Sequence, residues 1–209
     1  WSNADLRYHA EHIATMRLYN SGHNCLAAQV VIVSRDWPQR DEFLGMLREA
    51  YTSAPERTVW YPGSAERLAQ AAADLPAAEW CADGSRALVE VAARASDTTA
   101  LAATEYFAPV LGVVDLPGNG QEFLDNAVTY ANDELVGTLG ANVLIDPVTE
   151  AALGAGFDRA IAALRYGGIA INAWTALNFL TPTLTWGGFP SATPADVQSG
   201  IGVVHNALL

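Results

Sequence analysis

The chain has 209 residues, 51% of them hydrophobic, and its 11 basic residues against 23 acidic ones give a formal charge of −12 and a pI near 4.5. An acidic surface of this kind argues against nucleic acid and against anionic membrane as partners. All the basic residues are Arg and none is Lys, which excludes Schiff-base, pyridoxal-phosphate and Walker-type chemistry from this chain, since each needs an amine.

The length suits one well-filled domain, and residues 1–209 are expected to form a single one. Cys25 and Cys81 are too few for a disulfide scaffold, and the composition is that of an intracellular, cytoplasmic protein. Asn, Gly or Pro interrupts every apolar run short of a membrane span, and no basic-then-apolar leader opens the chain. A start at Trp1, without an initiator Met, leads us to expect a piece of a longer protein.

Residues 4–19 carry Leu6, Ala10, Ile13, Ala14 and Leu18 at helical spacing, with Asn3 as the expected cap. A polar turn, Asn20 to Asn24, follows. Residues 29–34 form a β-branched run of strand length with little alternation, which suits a buried parallel strand. Asp36-Trp37-Pro38 is expected to open a helix with Phe43, Leu44, Leu47 and Ala50 on one face. Residues 58–61 are a possible short strand. Pro62-Gly63-Ser64 is a turn, with Ser64 capping a helix to residue 75.

Further strands are expected at 86–91, 99–103, 110–114, 142–145 and 168–172. Helices are expected at 120–132 and, as one long Ala-rich element, at 148–166, stopped by Gly167-Gly168. From Thr181 onward the tail is rich in Gly, Pro, Ser and Thr and reads as mostly irregular. Strands alternating with helices imply βαβ units: a three-layer αβα domain with a mostly parallel sheet.

The residues with chemical potential are few. Cys25 follows a polar, Gly22-containing turn between a helix and a strand. A nucleophilic thiol needs backbone amides or a helix terminus nearby, to stabilise thiolate and any oxyanion formed on attack. The alternative is a free Cys serving as a small hydrophobe. Glu105-x-Phe107-x-Pro109 leads into a strand; alone it is also compatible with an exposed Glu beside a core Phe. His9 and His12 lie three apart on the first helix, a metal-pair spacing with no visible third ligand. His23 is close enough in sequence to Cys25 to favour thiolate as an imidazolium, or to form a Cys-His pair for hydrolysis or acyl transfer. Cys81 beside Trp80 reads as structural. Trp174, Phe179, Trp186 and Phe189 suit either a tunnel for an apolar substrate or local core.

Asn20-x-Gly22-x-x-Cys25 resembles the Asn-x-Gly-Gln-x-Cys nucleophile loop of the aldehyde dehydrogenase superfamily, with His23 where that family usually has Gln. Glu105-x-Phe107-x-Pro109, in the same order after it, resembles the family's Glu-x-Phe-x-Pro. Looser similarity covers Ala131-Asn132 to Leu139, Gly168 to Asn172, and Trp186-Gly187-Gly188-Phe189. The resemblance implies the family's catalytic-domain fold and Cys25 as nucleophile. It implies that Glu105 holds the nicotinamide ribose hydroxyls, with Phe107 beside the nicotinamide ring.

It also implies NAD or NADP as cofactor, a small-molecule aldehyde as substrate, no metal, and a homo-oligomer when full length. The dinucleotide-binding domain, the Asn that completes the oxyanion hole and the Glu general base would precede Trp1, so the piece alone is expected to be close to inactive. Acyl transfer to coenzyme A, or a degraded scaffold role, are the alternatives on the same fold.

Overall fold

A computed structural model describes residues 1–92 and 96–205, with the backbone alone described at residues 91, 92 and 96–98. The described chain divides into two compact units, Trp1–Asn119 and Gly120–Leu209.

The first unit opens with helix α1, Asn3–Leu18. Its cap is Ser2, one residue earlier than the sequence suggests. Ser2 Oγ accepts from the Asp5 amide, and Asp5 returns a carboxylate oxygen to the Ser2 amide at 2.9 Å. This reciprocal box satisfies two otherwise unpaired donors, which Asn3 inside the first turn cannot do. Leu6, Ala10, Ile13 and Ala14 are buried as the spacing requires.

Strand β1, Val30–Ser34, leads to helix α2, Arg40–Ser53. Helix α2 starts two residues after Pro38 and packs on α1. Phe43, Leu44, Leu47 and Tyr51 are its buried face; Ala50 is only half-buried, and Tyr51 takes the last core position. Buried Arg86 caps the end of α2, donating to the carbonyls of Tyr51, Ala54 and Pro55 at 3.0, 2.7 and 2.8 Å. Orphan carbonyls at a helix C-terminus are a favourable place for a cation.

No strand forms at residues 58–61. Helix α3, Ser64–Asp74, follows, with Gly63 at φ 78° as its cap residue, so Ser64 is the first helical residue and leaves its hydroxyl free for other work. Strand β2, Glu79–Cys81, pairs antiparallel with β3, Arg86–Ala92, through a tight turn in which Asp83 and Gly84 are left-handed. An Asp-Gly pair is a hairpin signal of that kind.

Helix α4, Ser96–Ala103, covers the residues expected as a strand at 99–103, and β4, Val110–Leu116, comes next. The reason is topological. Strands β3 and β4 are adjacent and parallel, and a parallel neighbour can be reached only through a crossover connection, normally helical. The sheet order is β1-β4-β3-β2, with β1 also parallel to β4. Central β4 is buried along nearly its whole length, and Leu101 of α4 packs over Gly112, where an added Cβ would meet it at 3.1 Å.

The second unit starts with α5, Gly120–Asp133, and β5, Gly140–Val143. The long helix expected at 148–166 is two helices, α6 Pro147–Leu153 and α7 Ala155–Ala163, broken at Gly154 (φ 51°, ψ −129°). Strand β6, Gly168–Ile171, pairs parallel with β5. Val128, Ala160 and Leu164 form a small core flanked by Leu124, Val143, Ile161 and Ile169. The Asn132 side chain locks the end of α5 to the end of α7, donating to Ala163 O and accepting from the Arg165 amide, both at 2.8 Å. Helix α8, Ala176–Leu180, and the short antiparallel pair β7, Trp186–Gly187, and β8, Val203–Val204, complete the unit. Trp186 is buried and meets Phe179 edge-on at 5.8 Å, so this aromatic pair is local packing. Gly167 lies so close to Gly187 that a Cβ there would overlap its carbonyl. Among the described residues no helix is long and apolar enough to cross a membrane.

His9, His12 and His23 are all held below the ordinary histidine value of 6.5, each chiefly by burial. The unfolded chain therefore binds protons more readily than the folded one. The associated stability is present above about pH 6.5 and is lost as pH falls below it. Thermal melts should show Tm falling below about pH 6.5, and replacing His9 and His12 together by Gln should flatten that slope.

Candidate functional site

The site is built where α1 ends. Arg17 falls on the same helical stripe as Ala10, Ile13 and Ala14, and is completely buried. One guanidinium nitrogen donates to Ala28 O at 3.0 Å and to Gln29 Oε1 at 2.9 Å. The other donates to Ala108 O. Every one of these acceptors is neutral, Nε has no hydrogen-bond partner, and no carboxylate forms an ion pair with Arg17 among the described residues. Burial pushes the guanidinium down to about 10, with Tyr51 and then Glu105 acting in the opposite sense. It remains a cation at neutral pH.

The chain leaves α1 through three consecutive left-handed residues, Asn20 (φ 53°), Ser21 (φ 53°) and Gly22 (φ 76°). Asn tolerates this region, Ser does so at some cost, and Gly at none. Gly22 is required for a second reason. A Cβ on it would lie 2.9 Å from the Ala108 carbonyl and 3.1 Å from the Arg17 guanidinium. Asn24 Oδ1 then accepts from the Leu26 amide at 2.9 Å, folding a small turn with Cys25 exposed at its tip. The turn runs directly into β1, which pairs with β4.

Residues 105–109 lie on the other side of this junction. Glu105 is exposed. Phe107 is half-buried and left-handed, at φ 48°, an outlier for a bulky side chain that marks a constrained backbone. Pro109 O accepts from the Tyr51 hydroxyl at 2.8 Å and from the Ala87 amide at 2.9 Å, anchoring the start of β4.

His23 joins the two loops. Its ring stacks on Tyr61 at 5.0 Å and meets Phe107 edge-on at 5.9 Å. Nδ1 is 3.1 Å from Asn20 O and Nε2 is 3.0 Å from Ser64 Oγ. This pairing assigns the proton to Nδ1, which donates to the carbonyl, while Nε2 accepts from the serine hydroxyl. Desolvation lowers the ring's affinity for a second proton, the Asn20 carbonyl acts in the opposite sense, and the nearby Arg17 and Arg67 charges push down with the burial. The expectation of a Cys-His pair is therefore corrected: both ring nitrogens are engaged by Asn20 and Ser64, and burial with the two arginines works against an imidazolium. Trp60 Nε1 donates to Asn20 Oδ1 at 3.1 Å, and Arg67 of α3 lies over the rings of Phe107 and Tyr61 at 5.5 and 5.8 Å. These contacts draw residues 58–61 onto the loop and explain why they form no strand.

Cys25 and the 105–109 segment, singled out from sequence, are thus carried on two loops joined within one unit. The sequence does not mark Arg17, Tyr61 or Arg67 as site residues, and it marks Ser64 only as a helix cap. Arg17 had a signal, an arginine on an otherwise apolar stripe; the others had none, because their role is set by contacts across the fold. His9 stacks on Trp1 at 4.4 Å, and among the described residues no three His, Cys, Asp or Glu side chains gather as a metal set. Cys81 is half-buried, and burial pushes its thiol up.

No family model and no curated protein matches the chain. Solved structures do. The chain is similar to lactaldehyde dehydrogenase from Escherichia coli, with a TM-score of 0.72 and 23% identity over 97% of this chain and 42% of that one. It is similar to gamma-glutamyl-gamma-aminobutyraldehyde dehydrogenase from Burkholderia cenocepacia, with a TM-score of 0.71 and 23% identity over 97% and 40%. Succinic semialdehyde dehydrogenase from Streptococcus pyogenes, solved with NADP+, gives 0.68 and 23% over 96% and 44%. The mixed α/β fold with its mostly parallel pairing is that of the aldehyde dehydrogenases. The chain spans less than half the length of each of these structures.

Gly22→Ala adds a methyl where backbone lies at 2.9 Å and where φ is positive. Urea unfolding should show a loss of about 1–3 kcal/mol, against a gain of about 0.5–1 kcal/mol for Gly45→Ala, which meets open space in the interior of α2.

Proposed function

We propose that this chain is the nucleophile-bearing catalytic-domain piece of an NAD(P)-dependent aldehyde dehydrogenase. Cys25 is the nucleophile, and Glu105 and Phe107 are its contacts to the nicotinamide end of the cofactor. The observation that supports this reading most is the junction itself: an exposed thiol on a constrained turn, joined through Arg17 and His23 to the loop that carries an exposed carboxylate and a half-buried aromatic ring. A structural cysteine needs no such framing.

The donor set fits a nicotinamide riboside. The Glu105 carboxylate has acceptor capacity for two hydroxyl protons, and the Phe107 ring offers an apolar edge to a flat heterocycle. Cys25 Sγ, as thiolate, adds to the aldehyde carbon while the carbonyl electron pair moves to oxygen. As the C=O bond re-forms, the hydrogen leaves with its electron pair. The bound nicotinamide supplies the hydride acceptor. Cys25 then holds the acyl group as a thioester. Water adds to the acyl carbon and gives up a proton to the general base, and the carbon–sulfur bond breaks with its electron pair on Sγ, releasing the carboxylic acid and restoring the thiolate. On this reading the dinucleotide-binding domain, the side-chain oxyanion donor and the general base lie outside these 209 residues, and the intact protein is a homo-oligomer.

Losing an oxyanion donor alone costs about 100–1000-fold in rate, so the 209 residues alone should give no measurable aldehyde turnover with NAD+ or NADP+. Iodoacetamide labelling tests the nucleophile. The thiolate displaces iodide and forms a carbon–sulfur bond, so the rate reports how far the fold prepares the thiol. Cys25 should label at least about ten-fold faster in the folded chain than in urea, whereas half-buried Cys81 should label more slowly folded than unfolded. A folded-to-unfolded ratio of one or less at Cys25 would overturn the proposal.

A further inference from the structure

We infer that Arg17 is the positioning residue that sets the Cys25 turn against the Glu105–Pro109 loop, an inference that rests on the dehydrogenase reading above. Three observations carry it. Its two terminal nitrogens divide between the loops: one holds Ala28 O and Gln29 Oε1, just after the thiol, and the other holds Ala108 O, just after Phe107. Gly22 is pressed against both Arg17 and Ala108, so the nucleophile turn, the guanidinium and the second loop meet at one point. The third observation concerns cost. A completely buried cation bonded only to neutral acceptors is expensive to bury, and a well-packed apolar side chain is often the more stable choice. A side chain chosen for stability alone would not be this one. A planar fork with donors on two edges, by contrast, fixes distance and angle between two backbones in a way that neither Lys nor an apolar residue reproduces.

Arg17 touches neither substrate nor cofactor on this reading. It acts through the two loops, one bearing the atom that attacks and the other the groups that hold the acceptor. Reacting groups must be held within a fraction of an ångström for efficient transfer, and the two loops lie far apart in sequence.

The test compares Arg17→Met, Arg17→Lys and Leu47→Ala. Leu47 is completely buried in α2 and lies in neither loop, so its truncation is a control for simple loss of stability. For each variant the folded-to-urea ratio of Cys25 alkylation by iodoacetamide is measured alongside the melting temperature. Arg17→Met should bring the Cys25 ratio close to one while still melting cooperatively, and Arg17→Lys should recover only part of it. Leu47→Ala should lower the melting temperature while keeping the wild-type ratio. A folded Arg17→Met chain with an unchanged ratio overturns the inference, as does Leu47→Ala losing the ratio to the same extent.

Should Arg17→Met fail to fold, Gln29→Leu removes one acceptor from the same fork and should lower the ratio by about three-fold; no change there also overturns it. Failure of the dehydrogenase reading is distinguishable, because the wild-type ratio itself would then be one or less.

Discussion

The first unit is organised around a buried positive charge. Arg17 occupies a position on α1 that the helical repeat reserves for the core, and three backbone and side-chain acceptors close around it. Such a group tolerates little movement, because each donor that loses its acceptor costs a full desolvation penalty. The turn after α1, the start of β1 and the approach to β4 are therefore tied to one another. The left-handed run Asn20-Ser21-Gly22 and the left-handed Phe107 are the local price of that junction.

A second arginine does comparable work at the other side of the same unit. Arg86 ends α2 by satisfying three carbonyls and sits in β3, so the helix that packs on α1 is fixed to the sheet that carries the site. Tyr51, at the end of α2, reaches Pro109 O. Burial pushes this phenol above its ordinary value, and it stays a neutral donor. The loop bearing Phe107 is thus held from α1 by Arg17, from α2 by Tyr51 and from its own aromatic neighbours by His23 and Tyr61. In a chain without lysine, arginine forks and tyrosine hydroxyls supply much of the buried polar framework.

The departures from the sequence expectations have identifiable causes. Residues 99–103, Thr-Ala-Leu-Ala-Ala, are helical as their Ala and Leu content favours, and the link between the parallel neighbours β3 and β4 must cross over. Residues 58–61 have the aromatic and β-branched residues of a strand, but Trp60 and Tyr61 are taken by Asn20 and His23. Ser64 is a good cap residue, yet its hydroxyl serves His23 while Gly63 takes the cap position. The long helix at 148–166 breaks at Gly154, whose ψ lies outside any helical region. At 58–61 and at Ser64 a contact overrides a local preference worth only a fraction of a kcal/mol per residue.

What the sequence by itself determined was the layout: an α/β chain, the extent of α1, α2, α5, β1, β4 and β6 to within a few residues, and two short segments carrying unusual residues, at Cys25 and at Glu105–Pro109. These are local properties, written in periodicity, turn residues and short spacings. Only the tertiary structure decided that the two segments meet, that His23 is bonded at both ring nitrogens, and that Arg17 is buried where they join. Those facts depend on residues up to 91 positions apart being brought together by the pairing of β1 with β4 and the packing of α1 on α2, and no local pattern in the chain encodes such a distance.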